Sequence, residues 1–218
     1  MSTGNLVREK REVESFDKIS LKGIGKVIIR QGEEESLEVE ARDDMLPSIV
    51  TEVEDGKLII SYKTDWSKQV ILPIKPIRFR VTMRAVKLLE ILGAGIMEAY
   101  DIETDTLDLV IKSAGALRVK ALAAEALAVA ISGAGGTNLS GKVDRQEVTI
   151  SGAGGHQAGK LESGSCSVTV NGAGGATVWA RDELDVTISG LGGVRYYGDP
   201  KVTREISGLG GVRRVGKR

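Results

Sequence analysis

Cysteine occurs once in the 218 residues, at Cys166, so no intrachain disulfide framework supports the fold. Aromatics make up 4% of the chain, which suits a narrow aliphatic core better than a wide globular one. There is no excess of either charge: Lys+Arg and Asp+Glu number 30 each. That balance lacks the basic footprint with which nucleic-acid binders meet phosphates. No apolar run approaches the ~18 residues of a membrane span. His156 is the single histidine, and no Cys/His spacing suggests a metal site. No segment carries a convincing amphipathic helical period.

Glycine is plentiful, with 28 residues gathered mostly in repeats. The hexapeptide Ile131-Ser132-Gly133-Ala134-Gly135-Gly136 recurs, lightly edited, at 150–155, 170–175, 188–193 and 206–211, and more weakly at 91–96 and 111–116. From each leading Ile or Val to the next, the steps are 20, 20, 19, 20, 18 and 18 residues. Leu21-Lys22-Gly23-Ile24-Gly25-Lys26-Val27 fits the same template as a degenerate eighth copy. Aligned, the copies give aliphatic columns at the leading residue and two and four residues before it, with Cys166 in the last of these. After the glycines come an inward column containing Thr137 and His156, a polar column containing Arg195, and a second apolar column. That is strand alternation kept in register from copy to copy.

Twenty residues at roughly 3.3 Å each make a loop of about 65 Å, and such loops stack at about 4.8 Å. The expected fold is therefore all-β: a right-handed parallel β-helix with turns of 18–20 residues, plus an N-terminal β-hairpin and irregular β region. Leucine-rich, calcium-binding and propeller repeats lack their frames or periods here. Each repeat should hold two short strands around a Gly corner and close through a second corner near Ala121, Gly141, Ala180 and Gly198. The invariant glycine at hexapeptide position five is expected to take positive φ. Leu191 and Leu209, which replace the preceding alanine in the last two copies, are expected to face inward.

The chain divides, within one continuous domain, into a flexible lead-in (1–14), irregular turns with a hairpin (15–90), regular repeats (91–211) and a basic tail (212–218). Asp55-Gly56 between alternating runs marks the hairpin at 49–62. Residues 63–76, with Trp66 and two prolines, read as the longest loop. Residues 121–130 have helical propensity, but the repeat frame makes them strand.

Catalytic chemistry finds little foothold. His156 has no carboxylate marked out to orient it, and Cys166 sits in an aliphatic column where a thiol behaves as a small hydrophobe. The Gly-Ala-Gly-Gly pieces lack the Lys-Ser/Thr and helix of a phosphate loop. Repeats differing by at most two residues leave no room for cleft walls, which points away from an enzyme. No cofactor or metal is expected. Trp179 and Tyr197 share an outward column on successive turns, with Tyr100 further down it and Arg195 close by, so these four form a candidate surface for a sugar or protein partner. The bland alternative is that the rings shelter a loop such as 63–76.

Phe16-Asp17-Lys18-Ile19, Gly23-Ile24-Gly25, Gln31-Gly32, the repeated Ile-Ser-Gly-Ala-Gly and Tyr197-Gly198-Asp199-Pro200 together resemble the bacterial head GIN domain family, described as "putative auto-transporter adhesins" of unknown function. The resemblance covers about residues 12–211 and implies a right-handed parallel β-helix and an extracytoplasmic or cell-surface location, although residues 1–18 carry no export-signal pattern. Three functions follow as expectations: a non-catalytic adhesin-like or scaffold protein with an unknown protein or glycan partner, a carbohydrate-binding or carbohydrate-active β-helix, and a cytoplasmic scaffold polymerising end to end as a homo-oligomer.

Overall fold

The computed structural model describes residues 4–63 and 77–218. Residues 1–14, expected as a flexible lead-in, supply strand β1 (Leu6–Arg11), which pairs antiparallel with a later strand. The alternating runs then become β2 (Lys18–Leu21), β3 (Lys26–Gln31) and β4 (Ser36–Arg42). The hairpin follows as β5 (Ile49–Glu54) and β6 (Lys57–Tyr62), turning through positive φ at Asp55 (49°) and Gly56 (71°). Next come β7 (Arg78–Met83) and β8 (Leu88–Ile91). The loop expected at 63–76 lies, beyond Lys63, outside the described residues.

From residue 96 the repeats are long strands: β9 (Ile96–Ile111), β10 (Ala116–Ile131), β11 (Gly136–Ile150), β12 (Gly155–Val170) and β13 (Gly175–Ile188). The chain ends in shorter ones, β14 (Gly193–Tyr197), β15 (Lys201–Ile206) and β16 (Gly211–Gly216). Each repeat strand pairs parallel with the next, like residue on like: Leu117 with Thr137, Thr137 with His156, His156 with Ala176. The molecule is a parallel β-helix, and 121–130 lie within strand β10, so tertiary repetition overrides helical propensity there.

The degenerate copy at 21–27 is a true rung, but the stacking order departs from chain order. β2 pairs with both β6 and β8, and β3 with both β7 and β9. The N-terminal rung is thus inserted between the rung of β6 and β7 and the first regular repeat. Beyond β7, antiparallel β4 and β1 extend the sheet, and the Arg11 side chain donates to the carbonyls of Ile49 (2.8 Å) and Leu46 (3.2 Å), joining this face to the β5 face.

One aliphatic core runs the length of the coil, with Ile91, Ile111, Ile131, Ile150, Val170 and Ile188 buried one above another. In β9, β10 and β11 the second corner is a bend inside a continuous strand, at Asp101, Ala121 and Gly141, all with positive φ, and another lies at Gly198 between β14 and β15; Ala180, expected as a further corner, has no positive φ.

The glycine corners correct the sequence reading. Positive φ at position five occurs only in the degenerate copy, at Gly25 (119°), and not at Gly95, Gly115, Gly135, Gly154, Gly174, Gly192 or Gly210. These glycines are required by stacking: a Cβ on Gly115 would lie 2.5 Å from Ile91 Cγ2 and 2.9 Å from the Gly95 carbonyl one rung below. Leu191 and Leu209 are corrected as well. They point to solvent, 66% and 82% exposed, because position four is the outer apex of the corner, where Ala134, Ala153 and Ala173 are also exposed.

Candidate functional site

Inside the coil, β11 and β12 carry polar side chains where other rungs are aliphatic. His156 is fully buried, with Nδ1 2.7 Å from Thr137 Oγ1 and Nε2 2.8 Å from Gln146 Nε2. An amide nitrogen only donates, so ring Nε2 accepts and the imidazole proton stands on Nδ1, donated to Thr137. The other end of the amide, Gln146 Oε1, lies 3.8 Å from the Cys166 thiol, its donor. Burial lowers the His156 pKa to about 3 and pushes the Cys166 thiol up to about 12. The chain Cys166–Gln146–His156–Thr137 is therefore neutral and internally satisfied, and offers neither a general base nor a nucleophile to a substrate outside.

The N-terminal end bears the densest charge. Glu40, buried, accepts from Arg78 (2.6 Å), Arg8 (2.7 Å) and Arg80 (3.2 Å), and Arg78 foremost holds its carboxyl down to about 2. These residues face one another across β1, β4 and β7, so the cluster locks the antiparallel extension onto the coil. A hollow of about 810 Å³ beside them is lined by Lys10, Glu14, Arg30, Glu35, Glu38 and Arg80, among others. Its charges are of both signs, and Glu38 is already paired with Arg80 at 2.7 Å. Among the described residues no cluster of His, Cys, Asp and Glu could hold a metal ion.

The outward aromatic column is partly assembled. Trp179 and Tyr197 are direct partners on β13 and β14, both half-buried, and Arg195 lies exposed two residues before Tyr197 on the same face. Tyr100 belongs to β9, four strand spacings from Trp179, or roughly 19 Å. It has its own company: Lys120 Nζ and Arg30 Cζ stand 5.3 and 5.9 Å from its ring centre, and its hydroxyl donates to Glu98 at 2.8 Å. The four residues thus divide into a Trp179–Tyr197–Arg195 patch and a separate Tyr100 cluster.

Three features of the patch escaped the sequence. The guanidinium of Arg218 lies over the Tyr197 ring at 4.5 Å and over Trp179 at 5.8 Å. Gly159 sits at a register shift in β12, and the Tyr197 ring and Thr177 methyl close over it: a Cβ there would come 2.9 and 3.2 Å from them. Thr177 Oγ1 is buried without a hydrogen-bond partner, singular in this among the described residues. Gln146, by contrast, was findable, as the one amide in an otherwise apolar column.

No curated protein matches the chain in sequence. Solved structures similar in fold include a "putative adhesin" from Bacteroides fragilis, at 24% identity and TM-score 0.90 over 97% of each chain. A "putative lipid binding protein" from Parabacteroides distasonis is similar at 20% identity and TM-score 0.76 over 98% of each chain. A "putative adhesin" from the same organism has 22% identity and TM-score 0.73, again over 98% of each chain. The sequence model described as "Putative auto-transporter adhesin, head GIN domain" matches residues 15–200, and the chain belongs to that family.

Proposed function

We propose that the protein is a non-catalytic, adhesin-like β-helix that presents a rigid side face to a protein or glycan partner. The observation that carries this reading is the construction of the corners. Each position-five glycine is pressed against the carbonyl of its counterpart one rung below, as Gly115 is against Gly95, so no loop projects from these corners to wall a cleft. A coil of this kind offers its partners flat outward columns at fixed spacing. Of these, the Trp179–Tyr197–Arg195 patch has the composition of a recognition surface: large rings beside a cation. Lipid binding, which the name of one neighbour suggests, is less favoured, because the interior columns are filled.

The test is binding of the intact protein and its Trp179→Ala/Tyr197→Ala variant to a glycan array and to a panel of basic, acidic and neutral peptides. A ligand retained by the parent and weakened at least ~10-fold in the variant is expected, since interface aromatics commonly carry more than ~1.4 kcal/mol. Binding indifferent to both substitutions would overturn the reading, as would turnover of any glycan on the array.

A further inference from the structure

The patch already has an occupant, and it is a guanidinium. Arg218 is carried there by specific contacts. The Gly198 N–H donates to the Gly216 carbonyl at 3.1 Å, which continues the pairing of β14 with β16 past a register shift. Asp199 then holds Arg214 at 2.9 Å and Lys217 at 3.9 Å. With the tail so anchored, the Arg218 cation stands over the faces of two adjacent rings, the geometry in which aromatic quadrupoles attract cations, and Arg most often. Tyr100, the third ring of the outward column, also has cations over its face.

We infer that Trp179 and Tyr197 form a guanidinium-binding platform, filled in cis by Arg218, which takes the arginine side chain of a polypeptide partner. The inference rests on the side-face reading above and narrows its ligand. One observation favours peptidyl arginine over a sugar. The group seen on the rings is itself a peptidyl arginine. The cis occupant also sets a threshold. A short tether corresponds to an effective concentration in the millimolar range, so a lone arginine competes poorly while a partner presenting several can prevail.

The experiment follows the Trp179 indole resonance during titration with an acetylated, amidated Arg-Gly-Arg peptide, its citrulline counterpart and tetramethylammonium. It compares the intact protein with Arg218→Ala, which removes the occupant, and Asp199→Asn, which loosens the tail and leaves the rings alone. The arginine peptide is expected to bind at least ~5-fold more tightly to both variants than to the parent, with citrulline causing no saturable shift, and Trp179→Ala combined with Arg218→Ala is expected to abolish binding. Equal affinity in parent and freed variants would overturn the cis occupancy. Citrulline or tetramethylammonium binding as well as arginine would overturn the guanidinium assignment. If arginine fails here while the array yields a Trp179-dependent ligand, the platform's ligand class is wrong and the side face stands. If neither assay depends on Trp179, both fall.

Discussion

Neighbouring corners supply a pair of substitutions that separate stacking from conformation. In Gly135→Ala the new Cβ would lie 2.6 Å from Ile111 Cγ2 and 3.0 Å from the Ser113 carbonyl, and closer still to the Gly115 carbonyl. Restoring ordinary contact of about 3.4 Å with the methyl alone requires the rungs to part by about 3.4 − 2.6 = 0.8 Å. That same Gly115 carbonyl accepts from Gly136 N–H at 3.0 Å, so parting the rungs also stretches the ladder. Overpacking costs about 1–3 kcal/mol and a weakened hydrogen bond about 0.5–1.5, against which alanine regains about 0.4–1 through the unfolded chain. The net expectation is a loss of about 0.5–4 kcal/mol. Gly155, at position six of the next corner, has no atom within 4 Å of a built Cβ and no positive φ, and Ile96 and Ala116 already occupy that column. Gly155→Ala should be neutral or stabilising by up to about 1 kcal/mol. Urea unfolding followed by circular dichroism at matched concentration reads both. If Gly135→Ala falls within 0.5 kcal/mol (on the order of the scatter for surface changes) of Gly155→Ala, the stacking account of the corners is wrong.

Acid should expose the buried imidazole. The His156 pKa is lowered on folding, from 6.5 to about 3, so its contribution is fully present above 6.5 and is lost as pH falls toward 3, because the unfolded chain takes up the proton first. That span corresponds to at most about 5 kcal/mol, and Glu40 adds a second loss between 4.5 and about 2. Urea midpoints measured from pH 7 to 4.5 should therefore fall in the parent and stay nearly level in Thr137→Val/Gln146→Leu/His156→Leu; parallel slopes would rule His156 out as the cause. The same triple variant should match the parent's stability at pH 7 within about 1–2 kcal/mol, since apolar replacement of a whole satisfied group is nearly neutral, yet refold to a less uniform product. A single sharp set of amide resonances from the refolded triple variant would contradict that second expectation. Finally, Arg204 and Arg214 stand in inward columns that are otherwise mostly aliphatic, beyond Val186 and Tyr196. Arg204→Val/Arg214→Val should associate with rising concentration in light scattering more readily than the parent, whereas identical profiles would show that these cations do not guard the edge.

The coil was legible because its periodicity is a direct imprint of its geometry: columns such as Leu89, Leu109, Val129 and Val148 face inward because β-strands alternate and identical rungs stack. What the repeats could not announce was order among unlike segments. That β2 and β3 slot between β6–β7 and β8–β9 depends on long-range pairing, for which the local pattern at 18–31 carries no signal. The strand at Leu6–Arg11 was missed for a related reason. Its inner face holds Val7 and Arg11, and an arginine whose donors meet Ile49 and Leu46 carbonyls does not look like a core residue in sequence. Leu191 and Leu209 misled through hydrophobicity, which says nothing about direction at a corner apex. In the candidate site, Trp179 and Tyr197 were found because they fall in one column. Arg218 was not, since it reaches the rings through an anchored tail and not through the repeat.

Near-identical rungs raise a problem that the interior polar chain answers. With Ile-Ser-Gly-Ala-Gly recurring in successive copies, a rung displaced by one whole turn would meet almost the same glycines and the same aliphatic columns. Apolar contacts alone separate such states poorly, because methyl groups of similar size interchange at small cost. Thr137, His156, Gln146 and Cys166 do not interchange. Each finds its partner only when β11 and β12 are adjacent and β12 sits in its present register, with Thr137 beside His156 and Gln146 beside Cys166. A one-turn slip would set the imidazole and the amide against aliphatic neighbours, at about 1–3 kcal/mol for each buried group left without a partner. Two or three such groups amount to a large share of the stability of a whole domain, about 5–15 kcal/mol. The interior polar residues therefore act most strongly on the choice among competing stackings.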